Sequence, residues 1–154
     1  MKNYNDLKHV IYITFGFLFI IFQNTLFSQG VFTSKATGVN WITGTTSAFN
    51  LTSGSDADGI PDSDDAVIIA TGHTINITAN ASCLTLTFNA AANANGIVIS
   101  SGITLVVSGS IITSAPTAAV TTLINVGDGN LSALAISVTG GATSNYISEL
   151  KINA

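Results

Sequence analysis

The chain has 154 residues, of which 47% are hydrophobic and only 8% are charged, and its formal net charge is −4. This length allows one domain with a modest core. Four lysines and no arginine exclude a nucleic-acid-binding surface, because many cations are needed to neutralise a row of phosphates. The single cysteine, Cys83, excludes an internal disulfide and a multi-cysteine zinc site.

The N-terminus has the three parts of a secretory signal peptide. Lys2 and Lys8 precede an apolar run at 10–22, and polar and small residues follow it up to Ser28. The run is shorter than the roughly 20 apolar residues that a membrane-spanning helix needs. We therefore predict a helical signal peptide over residues 1–28, no membrane span after its cleavage, and a secreted or cell-surface location.

Residues 29–50 are predicted to form an N-terminal cap or linker. They contain the only tryptophan, Trp41, in the sequence Gly38-Val39-Asn40-Trp41-Ile42. A lone tryptophan can serve as a platform for a sugar ring. Its large apolar surface instead favours packing over the first turn of the fold that follows, so we expect Trp41 to be part of the cap.

An acidic loop comes next, since five of the eight acidic residues fall between Asp56 and Asp65. Aspartates at alternate positions followed by Gly59 make a sharp turn, and calcium prefers about six to eight oxygens around such a turn. The spacing resembles the calcium loops of thrombospondin type 3 repeats, although Gly54 takes the place of the first carboxylate. A plain acidic turn is the alternative. The predicted calcium ligands are Asp56, Asp58, Asp62 and Asp65.

Short runs of alternating apolar and polar residues follow, separated by glycine, asparagine and serine, without helical periodicity. They predict an all-β fold, and two architectures fit it. The short, closely spaced strands favour a right-handed β-solenoid, also called a parallel β-helix, over residues 51–154, and a β-sandwich is the alternative. The predicted strands lie at 66–69, 74–78, 84–88, 97–99, 103–107 and 134–138.

An internal echo also favours the solenoid. The sequence Ser82-Cys83-Leu84-Thr85-Leu86 is repeated in form by Ser148-Glu149-Leu150-Lys151-Ile152, and the interval between them holds about three solenoid turns. The second copy leaves an open strand edge. We therefore predict that the chain is the N-terminal part of a longer protein and is followed by downstream domains.

Residues suited to catalysis are scarce. His73 is the only histidine after the signal peptide, and there is no arginine. Nucleophilic catalysis needs a nucleophile beside a base and an orienting third group, which this chain supplies poorly. We predict that the protein is not an enzyme, that His73 opens a strand, and that Cys83 is a small buried hydrophobic residue.

The order of these motifs resembles a known group of proteins. The motifs are the Ser-Gln at the end of the signal peptide, Asn40-Trp41, the stretch 59–69, the stretch 72–77 and the stretch 81–86. Together they resemble the N-terminal β-helical region of large secreted surface proteins of Bacteroidetes, many of which are adhesin-like cargo of type IX secretion. The layout is also similar to G8-type β-rich domains. The resemblance implies a right-handed β-helix, a cell-surface or secreted location and no catalytic residues.

The predicted function is therefore that of a structural or adhesive module that binds glycans or surface proteins. Many weak hydrogen bonds from threonine, asparagine and serine suit that role. One alternative is a non-catalytic N-terminal fragment of a carbohydrate-active β-helix enzyme. A second alternative is an ice-binding solenoid, because threonines at alternate positions form regular hydroxyl arrays.

Overall fold

The computed structural model describes residues 29–43, 46–89, 93–140 and 148–153, and the predicted signal peptide lies outside them. The described residues contain strands and turns without helix, which confirms the predicted all-β class. They accordingly include no helix that is long and apolar enough to cross a membrane. The strands are β1 Val31–Ser34, β2 Val39–Asn40, β3 Ile42–Thr43, β4 Thr46–Ser47, β5 Phe49–Ser53, β6 Ala66–Ile69, β7 Thr74–Ile77, β8 Ala81–Cys83, β9 Thr85–Phe88, β10 Gly96–Ile99, β11 Thr104–Thr113, β12 Val120–Asn125, β13 Asn130–Val138 and β14 Ser148–Asn153.

Most strands belong to two sheets, and the chain crosses between them repeatedly. The larger sheet has the order β13-β11-β9-β6-β1-β5, with β8 also paired to β11, and the smaller has the order β14-β12-β10-β7-β2. Every pair in these two sheets is parallel except β1 with β5. Parallel neighbours need a long crossover connection. Here the crossover runs through the other sheet before the chain returns.

Apolar side chains at paired positions stack into columns between the two sheets. Alternate residues of each strand face this core, because successive side chains of a strand point to opposite faces. Each fully buried aliphatic or aromatic side chain contributes roughly 1.5–3 kcal/mol. The column of the larger sheet is Phe32, Val67, Leu86 and Ile111, and that of the smaller sheet is Ile75, Ile97 and Ile124, all 0% exposed.

Uncharged polar side chains bind the backbone one turn away, where the chain passes from one sheet to the other. Asn80 accepts the backbone N–H of Thr104, which lies 24 residues later, at 2.9 Å. The buried Asn95 donates its side-chain N–H to the carbonyl of Ile69, 26 residues earlier, at 3.2 Å. Such bonds satisfy backbone N–H and C=O groups that strand pairing leaves without a partner where the chain turns from one sheet to the other. They give the asparagines and threonines of this chain a structural role.

The strands predicted from 66–69 onward are present, at times with different bounds. In contrast, the prediction that the segments 82–86 and 148–152 occupy equivalent positions in stacked turns is wrong. Ser82 lies in β8 of the larger sheet, whereas Ser148 lies in β14 of the smaller sheet. The two segments look alike because any strand with one buried face alternates apolar and polar residues.

Trp41 packs against the first strands, as predicted. Its side chain is 1% exposed, and its ring meets that of Phe49 edge-on at a centroid distance of 4.7 Å. The indole N–H is buried without a hydrogen-bond partner. A ring enclosed in this way cannot offer its face to a sugar, so the burial excludes Trp41 as a sugar platform.

Candidate functional site: a groove beside the acidic loop

The acidic loop lies between β5 and β6 and is shaped by its own aspartates. The Asp56 carboxylate accepts the backbone N–H groups of Asp58 and Gly59, and the Asp58 carboxylate accepts that of Ile60 at 2.9 Å. Aspartate side chains stabilise turns in this way. Gly59 has a φ of 73°, a conformation that glycine adopts without steric cost. The alternating aspartates therefore have a local structural explanation.

Asp65 has a different role, because it fastens the loop to the start of the described chain. Its side chain is 1% exposed. One carboxylate oxygen accepts the N–H of Gly30 at 2.7 Å, and the other accepts the N–H of Asp62 at 2.9 Å. Burial raises the pKa of the Asp65 carboxyl, and these two N–H groups offset part of that rise. Asp65 thus holds together segments that lie 35 residues apart.

The four predicted calcium ligands do not converge on one point. Among the described residues there is no group of three or more acidic, histidine or cysteine side chains placed to hold a metal ion. Asp56, Asp58 and Asp65 each accept backbone N–H groups. As placed, these carboxylates stabilise the loop and are not gathered around one cation position. Calcium binding by this loop stays a prediction.

Two neighbouring carboxyls of the loop interact with each other. A side-chain hydrogen bond with Asp62 raises the pKa of Asp64, with smaller contributions from burial and from the charges of Asp62 and Asp65. The backbone N–H of Asp64 also donates to the Asp62 carboxylate at 3.1 Å, so the two residues lie side by side in the loop.

A groove of about 400 Å³ runs beside this loop, where the loop faces β3 and the turn into β8. Its volume lies in the range of small-ligand sites. Ile42, Ile60 and Pro61 form apolar walls, and carboxylate, amide and hydroxyl groups stand beside them. Among the residues that the structure describes, no lysine or arginine lines it. The lining residues are Ile42, Asp58, Ile60, Pro61, Asp62, Asn80, Ala81 and Ser82.

The polar groups of this lining can form hydrogen bonds with a ligand. Two acceptors with a negative charge, an amide and a hydroxyl can bond to the hydroxyls of a sugar or to polar groups of a protein. The acids of the groove come from the predicted calcium ligands, Asp58 and Asp62. The sequence did not indicate that Asn80 and Ser82 lie beside them, because that neighbourhood depends on how β8 follows the loop in space.

His73 is paired with a serine outside the groove. Its Nδ1 lies 2.8 Å from the Ser34 hydroxyl. That hydroxyl oxygen also accepts the N–H of Ala70 at 2.9 Å, so its own proton is available for Nδ1. Ser34 is only 6% exposed, and the pair ties the turn after β6 to β1. Sequence reasoning missed this pair, whose members are 39 residues apart with no local motif to link them.

Cys83 is buried, as the sequence predicted. Its side chain is 0% exposed and lies in register with Val107 of the next turn. Burial, with a smaller effect from the charge of Asp65, raises the pKa of its thiol to about 12. The thiolate is the nucleophilic form of cysteine. Cys83 is thus a packing residue.

Comparisons with known proteins add no relative to this description. The scan of protein-family models, the search of curated proteins and the search of solved structures each return no match. The resemblance to Bacteroidetes surface proteins rests on the motifs alone.

Replacing Asp65 by asparagine is expected to lower the free energy of unfolding by about 1–3 kcal/mol. An amide can accept only one of the two N–H groups that the carboxylate accepts, so a buried donor loses its partner. The pKa of Asp65 is higher in the folded state than in the unfolded state. Its contribution to the free energy of unfolding therefore decreases as the pH rises from the unfolded-state pKa through the folded-state pKa. The difference in free energy of unfolding between the wild type and Asp65→Asn is therefore expected to decrease over that pH range.

Urea unfolding of both proteins at a series of pH values measures this effect. Asp128→Asn is the matched control, because it removes the same charge from an exposed turn. Equal stability of Asp65→Asn and Asp128→Asn at every pH would contradict the anchoring role of Asp65.

Proposed function

We propose that the protein is a secreted or cell-surface structural and adhesive module with the fold of a right-handed β-solenoid. The observation that carries this proposal is the repeated passage of the chain between two parallel sheets, with apolar columns kept in register. The sheets of a β-sandwich are normally antiparallel, so the parallel pairing favours the solenoid. A rod built from stacked turns suits a protein that spans a distance at a surface.

The adhesive part of the proposal rests on the groove. A glycan or a surface protein would bind there through Asp58, Asp62, Asn80 and Ser82, with the apolar walls excluding water. Glycan ligands offer many hydroxyls, and these match a lining of acceptors and small polar groups. The outer column of the smaller sheet offers further amides. It consists of Asn40, Asn76, Val98, Asn125 and Asn153.

The proposal includes no catalytic step. The Ser34 hydroxyl is buried and holds the Ala70 N–H, and the Cys83 thiol is kept protonated by burial. Both groups therefore have structural explanations. Export is supported by the basic, apolar and polar parts of the N-terminal sequence.

Binding to immobilised polysaccharides and extracellular proteins tests the function. Asp58→Asn and Ser82→Ala are each expected to weaken binding about tenfold, as one lost hydrogen bond predicts. Asp128→Asn, which changes an exposed acid outside the groove, is expected to bind like the wild type. Release of reducing sugars by the protein alone, or equal loss of binding in all three variants, would contradict the proposal.

A further inference from the structure

The groove beside the acidic loop carries negative charge that no cation of the described residues balances. Asp58 and Asp62 stand in its lining, and both are exposed. Lys35 is the only lysine whose side chain the structure describes. It lines a separate, smaller cavity, where its ammonium group donates to the carbonyl of Ser47 at 3.1 Å. A cleft lined by one sign of charge attracts a ligand of the opposite sign.

Asp58 has a carboxylate oxygen left for such a ligand. Its Oδ1 accepts the N–H of Ile60 at 2.9 Å, and its Oδ2 accepts no hydrogen bond from the described residues. Asp62 is more occupied, because it accepts the backbone N–H of Asp64 and its side chain bonds with that of Asp64. A guanidinium group binds best to both oxygens of one carboxylate, whereas a lysine ammonium is a point charge. A single open oxygen therefore suits lysine better than arginine.

The apolar part of the lining matches the stem of a lysine. Ile42, Ile60, Pro61 and Ala81 line the groove beside the two acids. Lysine places its methylene stem along apolar surface and keeps its ammonium group at a polar site. A neutral sugar would bond to the polar groups but would leave the negative charge uncompensated, and an acidic sugar or a phosphate would be repelled.

The uncharged polar groups of the lining suit the backbone of a protein segment. The side-chain carbonyl of Asn80 already accepts the N–H of Thr104 at 2.9 Å, so its NH₂ group is the part left for a ligand. The Ser82 side chain is half-buried and makes no hydrogen bond with the described residues. Both groups can donate to peptide carbonyls, which accompany every lysine of a partner protein.

We propose that the groove takes a lysine side chain of an extracellular partner protein, with the stem against the apolar walls and the ammonium group at Asp58. The inference rests on the adhesive function proposed for the same groove. It selects a basic protein segment over a neutral glycan as the ligand, because only the former uses the charge, the apolar walls and the donors of the lining together.

The full chain, recovered after export with its N-terminus established by intact mass, is titrated with the capped peptide Ala-Ala-Lys-Ala-Ala and followed by NMR. Backbone amide resonances at 58–62 and 80–82 are expected to shift. The same peptide with an acetylated lysine is expected to bind at least about tenfold more weakly, because acetylation removes the charge but keeps the stem. This comparison needs no variant of the protein.

Asp58→Asn is expected to weaken binding of the lysine peptide about tenfold as well, since asparagine keeps the shape of the side chain without its charge. Asp128→Asn is the matched control, because it removes an exposed acid outside the groove, and it is expected to bind like the wild type. Circular dichroism of both variants confirms that they are folded.

Equal binding of the acetylated and unmodified peptides, or the absence of shifts in the groove at millimolar peptide, would overturn the proposal. Equal losses in Asp58→Asn and Asp128→Asn would also overturn it, because they would indicate an effect of net charge alone. If a neutral polysaccharide shifts the groove resonances and the lysine peptide does not, the choice of ligand is wrong and the adhesive function stands. If polysaccharides and extracellular proteins also fail to bind, the adhesive function is wrong too.

Discussion

Replacing Phe88 by alanine is expected to lower the free energy of unfolding by about 3–5 kcal/mol. Phe88 is 0% exposed. It is in register with Ile69 of β6 on one side and with Thr113 of β11 on the other, and both of these residues are also 0% exposed. The backbone ladders on both sides hold β9 in place, so the surrounding chain cannot collapse into the space that the ring leaves. Chemical denaturation followed by circular dichroism measures the loss.

Thr87→Ala, one residue earlier in the same strand, is the control for this substitution. Thr87 faces outward and is half-buried, so its loss is expected to change stability by less than about 1 kcal/mol. Similar losses at both positions would contradict the alternation of inward and outward residues on which the apolar columns depend.

The strands predicted from residue 66 onward could be identified because their signal is local, whereas β1 to β5 and β12 were not predicted. A strand with one buried face must alternate apolar and polar residues, and glycine and asparagine must supply the turns. The segments at 74–78 and 97–99 carried that pattern and form β7 and β10. Burial of Cys83 and Trp41 followed from their chemistry in the same way.

The pairing of the strands was not predictable, since it depends on which segment stacks on which. The segments 82–86 and 148–152 have similar alternating sequences, which suggested a repeat, yet they lie in different sheets. A strand pattern specifies a buried face but carries no record of its neighbour. The same limit hid the Ser34–His73 pair, whose members are 39 residues apart.

The acidic loop shows the limit most clearly for a functional site. Alternating aspartates beside a glycine suit a calcium loop, and they suit equally a loop whose carboxylates bind their own backbone. The difference lies in where each carboxylate points. Tertiary contacts decide that for Asp65, since its partner Gly30 lies 35 residues away. The groove itself needs residues from three separate segments, so no single stretch of sequence indicates it.

Replacing Asn95 by leucine is expected to lower the free energy of unfolding by about 2–4 kcal/mol. Thr122 donates its hydroxyl to the Asn95 side-chain carbonyl at 2.8 Å, and the Asn95 amide donates to the carbonyl of Ile69 at 3.2 Å. Both polar side chains are buried, so leucine leaves the Thr122 hydroxyl without its acceptor. The Ile69 carbonyl keeps a partner, because it also accepts the N–H of Asn89.

A double-mutant cycle with Thr122→Val tests whether this pair, rather than the volume of Asn95, holds the corner. Thr122→Val alone is expected to cost about 1–3 kcal/mol, since it leaves the Asn95 carbonyl oxygen unpaired. The double variant removes both polar groups, so it is expected to be no less stable than Asn95→Leu alone, with a coupling of at least about 1 kcal/mol by urea denaturation. Strictly additive losses would contradict a role for the bond. A positive coupling would show that Asn95 and Thr122 act as a pair that joins two successive turns.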